Sequence, residues 1–200
     1  YNNLGCKVTM VEYMPRLVPV EDEDISKELE KQFKKQGITV MTSSEVLKVD
    51  TSGDGVKATV KTEKGEEILE ADILLSAVGI VANIENIGLE ELGVKMEKGK
   101  IWVDANGQTS VKGLYAIGDC TPGQALAHVA SKEGINAAEA ICGKKPEAMD
   151  YNNIPGCTYC QPEISSVSYT EKAAKDAGYE IKVGKFPFIA SGKASAAVST

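Results

Sequence analysis

Histidine is almost missing from this 200-residue chain, where His128 stands alone. No histidine pair is therefore on hand to complete a four-ligand zinc site, and no metal is expected. Cysteine is scarce and odd in number, five residues in all, which excludes a disulfide scaffold and suits a reducing, cytoplasmic setting. Cys6 and Cys142 lie in apolar stretches and read as small core residues. Positive charge is in deficit: 22 Lys and Arg against 29 Asp and Glu leave a net charge of −7, so a phosphate backbone would be repelled and nucleic acid is not an expected partner. No apolar run approaches the roughly 20 residues of a membrane-crossing helix. Nor does a basic stretch followed by an apolar one mark a secretory leader. What is present is an ordinary globular balance, 42% hydrophobic and 26% charged, enough for one domain or two small ones.

The opening Tyr1–Gly5 reads as the tail of a helix that Gly5 caps. Cys6 to Glu12 alternates as a strand ending in an acid. The run Glu21-Asp22-Glu23-Asp24 loads a helix start with negative charge, a solvated start rather than a metal site. Ile25, Leu29 and Phe33 form one apolar stripe on that helix, and Gly37 stops it. Short strands follow over 38–41 and 46–50. The stretches 56–62 and 67–70 complete an antiparallel meander. Ile73 to Val78 is nearly continuous apolar sequence and predicts a central, doubly buried strand. A short helix is expected over 84–92, a brief strand over 101–103, and a long helix from about 125 to 142 with Gly143 after it. Beyond Tyr151 the pattern reads turn, strand, helix over 170–177, and strand over 179–188. Three pieces result, 1–78, 79–149 and 150–200, and none of them reads as a whole domain.

Chemistry concentrates at Gly113-Leu114-Tyr115-Ala116-Ile117-Gly118-Asp119. The apolar run predicts a buried strand, the glycine permits close approach of a ligand, and the aspartate stands where open α/β sheets bind theirs. A carboxylate there accepts hydrogen bonds from sugar hydroxyls. The helix start at Leu126-Ala127-His128 offers unpaired N–H groups to an electron-rich ring edge, an arrangement that suits a flavin dinucleotide. His128 reads as lining such a pocket rather than as a base, because a helix start disfavours the imidazolium. Glu12, at a strand end after helix and glycine, is the type of acid that hydrogen-bonds an adenine ribose in a dinucleotide fold, although a lone acid there is usually just solvated. Gly79 either admits a cofactor or simply lets the chain leave the sheet. Cys157-Thr158-Tyr159-Cys160 has the spacing of a redox pair or of half a zinc site, but Pro155 and Pro162 flank an extended segment, which favours an incidental pair.

Taken in order, Val11-Glu12-Tyr13-Met14-Pro15, Ala77-Val78-Gly79, Tyr115–Asp119, Leu126–Gly134, Ile154-Pro155-Gly156, Gln161-Pro162-Glu163 and Gly184–Phe188 resemble the dihydrolipoamide dehydrogenase branch of the flavin disulfide reductases. The resemblance implies an α/β fragment of a flavoprotein with two dinucleotide-binding domains: part of an NAD domain with its β-meander, part of an FAD domain, and the start of an α+β dimer-interface domain. It implies FAD and NAD as cofactors, and a homodimer formed through 150–200. The implied partners are the lipoyl domains of 2-oxoacid dehydrogenase and glycine-cleavage complexes. By the same likeness Glu12 would hold the NAD ribose, and Val46, Ala77 and Gly79 would line the NAD cleft. Asp119 would bind the ribityl–pyrophosphate region of the flavin, and Ala127 and His128 would bring backbone amides to its ring. Departures accompany the likeness. Both glycine fingerprints, the C-x-x-x-x-C disulfide and the catalytic His–Glu pair have no counterpart here. Ile80 stands where an arginine is common, and Cys157 and Cys160 stand where apolar or hydroxyl residues are usual. No catalytic residue is therefore expected in this stretch, and the isolated chain is expected to be inactive. The alternatives are a mercuric or glutathione type of flavin reductase, against whose NADP-using members Glu12 argues, and a non-catalytic dimerisation module.

Overall fold

The computed structural model describes residues 1–197, which divide into two compact units: Tyr1–Ser76 with the segment from Pro155 onward, and Ala77–Ile154. The first unit begins with a 3₁₀ turn over Asn2–Leu4 that Gly5 ends in the left-handed conformation. Strand β1 (Thr9–Val11), helix α1 (Glu23–Lys35) and strand β2 (Thr39–Met41) then form a βαβ unit, with Thr9 beside Thr39 in a parallel pair. Leu29 and Phe33 bury against Leu17, Ile38 and Ile164, with Val8, Met10 and Val40 packed around them. The expected stripe is shifted at its start: Ile25 is 41% exposed, whereas Ser26 is 1% exposed and donates to the Val18 carbonyl. Positions 26, 29 and 33 follow the 3.6-residue repeat more closely than 25, 29 and 33, and the Ser26 hydroxyl finds a backbone acceptor that makes its burial tolerable.

The acids at the start of α1 are not simply solvated. Asp22 Oδ1 accepts from the Glu171 N–H at 2.8 Å instead of capping its own helix. Glu21, itself buried, accepts from the Ser166 hydroxyl at 3.1 Å, and Lys185 pairs with Asp24. The later segment of this unit, with β8 (Gly156–Thr158), β9 (Ile164–Ser166) and α3 (Glu171–Asp176), is thereby joined to α1, and Ile164 enters the same core. A short helix, α4 (Gly192–Ala196), lies beyond the sequence expectation.

The meander forms as expected. β3 (Glu45–Asp50), β4 (Val56–Thr62) and β5 (Gly65–Ala71) pair antiparallel, with a bulge between Val46 and Lys48. Ala58 and Val60 on the central strand are buried, Val60 completely. In the second unit, β6 (Met96–Glu97) and β7 (Lys100–Ile101) form a two-stranded ribbon over a core of Ile84, Leu89, Val94 and Ile101. Helix α2 (Ala127–Ile141) follows, and Gly143 beyond it is left-handed.

Several expectations fail for one physical reason: a strand needs a neighbour, and an apolar run supplies only the demand for one. Ile73–Val78 pairs with no strand among the described residues and is exposed, Val78 at 95%. Residues 179–187 likewise form no strand, and Phe188 opens a 3₁₀ turn over Phe188–Ala190. Residues 113–119 make only one isolated bridge, Tyr115 with Gln108, and pass into a 3₁₀ turn at Gly118–Cys120. The helix expected at 84–92 is a series of turns, because Asn86 (φ 58) and Gly88 (φ 86) are left-handed within it. Cys6 and Cys142 are exposed rather than core residues. Phe33 is the largest side chain anchoring α1. Phe33→Ala should lower the stability of the first unit by about 3 kcal/mol, measured by urea denaturation followed in the far ultraviolet.

Candidate functional site

The residues around Gly118 are held against one face of α2. Ala130, Glu133, Gly134 and Ala137 recur at i, i+3, i+4 and i+7, so they share that face. Gly118 has φ 75, and a Cβ there would come within 3.1 Å of the Ala130 Cβ. Conversely, a Cβ on Gly134 would come within 3.1 Å of Ile117 Cδ1. Each glycine is the small partner in a close crossing of two backbones. The Glu133 carboxylate completes the contact. Oε2 accepts from the Gly118 N–H at 2.7 Å, and Oε1 accepts from the Tyr151 hydroxyl at 2.7 Å. The Gly118 carbonyl accepts from both the N–H of Thr121 (2.9 Å) and its hydroxyl (2.8 Å).

Asp119 follows directly and is exposed, its carboxylate without a protein partner among the described residues. Ala127 and His128 are exposed at the first turn of α2, where Leu126 is extended and contributes no side-chain cap. The structure thus brings Asp119, Ala127 and His128 into one unit, with the turn that carries Asp119 packed on α2. A flavin needs an accessible carboxylate for its hydroxyl groups, which Asp119 fits, and the start of α2, which carries no side-chain cap, lies in the same unit.

Glu12 and Val46 lie in the other unit. The Glu12 N–H donates to the Met41 carbonyl at 2.8 Å, and its own carbonyl accepts from Ser44 at 3.0 Å, which ties the end of β1 to the approach to β3. Its Oε1 accepts from the Met14 N–H at 2.7 Å, so one oxygen serves the local turn and the other has no protein partner among the described residues. Val46 is exposed beside the bulge. Ala77 and Gly79 belong to the unit that holds Asp119, both exposed, and Gly79 is left-handed with open space where a Cβ would stand.

Sequence reasoning overlooked Glu133, Tyr151 and Asn136. The last is 2% exposed, and its Oδ1 is the one buried side-chain oxygen or nitrogen without a partner among the described residues. It borders a cavity of about 20 Å3 shared with Asp104, Gly107, Thr121, Glu133 and Tyr151, room for a single water. Partial burial and the Glu133 carboxylate together push the Tyr151 phenol up to about 12. Cys157 and Cys160 are free thiols. Cys160 packs against the core of the first unit, donates to the Pro162 carbonyl at 2.9 Å, and has its pKa raised by burial, the opposite of a thiol poised for redox work. Among the described residues no three metal-ligating side chains cluster, and no helix is long and apolar enough to cross a membrane.

Two comparisons in sequence and one in structure bear on this site. Residues 1–134 match the family described as pyridine nucleotide-disulphide oxidoreductase, and residues 154–200 match the dimerisation domain of that family. The chain is 44% identical to the dihydrolipoyl dehydrogenase of Rhizobium etli over 98% of its own length and 41% of the relative's. It is 43% identical to that of Zymomonas mobilis over 100% of this chain and 43% of the relative. It is 41% identical to the leghemoglobin reductase of Glycine max over 98% and 38%. The chain therefore spans about two fifths of the length of the curated relatives it matches. Among solved structures, LpdA of Mycobacterium tuberculosis superposes with a TM-score of 0.89 at 27% identity, over 99% of this chain and 43% of that one. The HOCl-induced flavoprotein disulfide reductase RclA of Escherichia coli gives 0.87 at 25%, over 98% and 45%. The expected α/β architecture of a flavoprotein with dinucleotide-binding domains is met by these likenesses.

Two outcomes follow from the local chemistry. Because the folded phenol of Tyr151 holds its proton to about pH 12 against about 10 for a free one, its contribution to stability is complete below about pH 10 and fades as pH rises through 12. Tyr151→Phe should flatten the alkaline denaturation profile across that window. Iodoacetamide should label the exposed Cys157 ahead of Cys160, read by peptide mass mapping.

Proposed function

Because the chain belongs to the pyridine nucleotide-disulphide oxidoreductase family, we propose that it is a segment of an NAD-linked dihydrolipoyl dehydrogenase. The reaction is the oxidation of a protein-bound dihydrolipoyl dithiol to its disulfide. Two electrons and one proton leave as hydride for NAD, and the second proton goes to solvent. The observation that carries the reading is the exposed carboxylate of Asp119 held beside an uncapped helix start, in a chain whose relatives bear that name.

Dihydrolipoyl dehydrogenases of this family use FAD and NAD, and FAD supplies the two-electron relay between dithiol and nicotinamide. This chain's residues would bind and orient. Asp119 would accept hydrogen bonds from the flavin's polyol region, and the N–H groups of Ala127 and His128 would meet the ring edge where negative charge accumulates. Glu12 would accept from the adenine ribose with its unclaimed oxygen and would repel a 2′-phosphate, which favours NAD over NADP. Val46, Ala77 and Gly79 would line the NAD cleft, with the open space at Gly79 admitting the cofactor backbone.

The domain plan goes with this reading. Residues 1–78 would be the later part of an NAD domain, 79–149 the returning part of an FAD domain, and 150–200 the first part of a dimer-interface domain. The match of 154–200 to a dimerisation domain supports a homodimer built through that end. Lipoyl domains of 2-oxoacid dehydrogenase and glycine-cleavage complexes would be the partners, in a reducing cytoplasm.

The redox disulfide and the catalytic base would come from elsewhere in the enzyme. The purified 200-residue chain should therefore give no turnover of dihydrolipoamide with NAD, followed as absorbance at 340 nm. Turnover by the chain alone would overturn the segment reading. A colourless dimer from the full-length protein would favour a non-catalytic dimerisation module, as read by light scattering beside a visible spectrum.

A further inference from the structure

We propose that Glu133 is a positioning residue for the flavin contact of Asp119, acting through the backbone of Gly118. This rests on the flavin reading above and extends it to a side chain that would touch no cofactor. Gly118 is fixed at both ends. Its N–H is held by Glu133 Oε2 at 2.7 Å, which sets the peptide plane before it. Its carbonyl is held by the N–H and hydroxyl of Thr121 at 2.9 and 2.8 Å, which sets the plane after it. With both planes set, the Asp119 Cα is placed, and the 3₁₀ turn Gly118–Cys120 that holds its backbone directs its Cβ.

A carboxylate is a costly acceptor for one amide, since a half-buried charge must be satisfied at both oxygens. Here the second oxygen takes the Tyr151 hydroxyl at 2.7 Å, from 18 residues further along the chain. Both bonds have the short length of charge-assisted ones. The clamp joins the turn, the second turn of α2 and the segment after that helix, so the start of α2 and the Asp119 carboxylate keep one spacing. A flavin that used both at once would need that spacing held.

The test is FAD affinity of the full-length flavoprotein, read by recovery of free flavin fluorescence on dilution, with no dependence on turnover. Glu133→Ala should weaken FAD about tenfold, as expected for a lost hydrogen bond to a charged group. Asp119→Asn should also weaken it, and the double variant should be no weaker than Asp119→Asn alone, because the two losses share one contact. Glu133→Gln keeps an acceptor for Gly118 and should recover most of the affinity, while Tyr151→Phe should give an intermediate loss. Should the alanine variant not fold, Glu133→Asp draws the acceptor back by one methylene with the charge retained, and it should weaken FAD as well. Unaltered FAD affinity in Glu133→Ala or Glu133→Asp, or losses that add in the double variant, would overturn the proposal alone. Absence of FAD binding by the unaltered protein would overturn it together with the flavin reading.

Discussion

Two backbones meet closely where residues 116–118 cross helix α2, and the site depends on that crossing. Methyl groups and hydrogens line it, from Ala130, Gly134 and Ala137, so the turn can settle until the Gly118 N–H reaches Glu133. A Cβ at position 118 or 134 would meet the Ala130 Cβ or the Ile117 Cδ1 at 3.1 Å, so the neighbour would have to give way. Packing therefore comes before electrostatics: the small residues bring the chain within reach, and the carboxylate then fixes its orientation. Asp119 inherits its placement from both.

Charge plays a comparable part in the first unit, although with different neighbours. The acids opening α1 complement the helix dipole, but three of them, Glu21, Asp22 and Asp24, also accept hydrogen bonds from residues 145 to 161 positions later. Exposed ion pairs along α1, such as Lys27 with Glu23 and Lys34 with Glu30, add little by comparison. The contact of β9 with α1 rests on Ile164 in the core and on Glu21 at its rim, while Asp22 holds the start of α3.

Local structure was the legible part of the sequence. Leu29, Phe33 and Gly37 announce α1 and its end, and the turn residues between Asp50 and Val56 announce the meander, because these signals act over a few residues. Tyr115 and its neighbours have the composition of a strand, yet composition does not name the neighbour that would make them one, and among the described residues they make one isolated bridge, to Gln108. Glu133 was illegible for the same reason. A glutamate on a helix reads as a solvated residue, and its two partners stand 15 residues before it and 18 after it. Only the face it shares with Ala130, Gly134 and Ala137 hints that it points inward. Asp119, by contrast, was visible because a glycine–aspartate step and a helix start lie close in sequence.

The stretch from Ile73 to Ala82 has neither proline nor charge, and most of it stands in the open. Such a segment has what stacked, self-templating β assemblies require: six or more residues that pair with copies of themselves as readily as with a proper neighbour. A strand neighbour along it would do two jobs at once, satisfying its backbone groups and shielding the chain from amyloid-like growth.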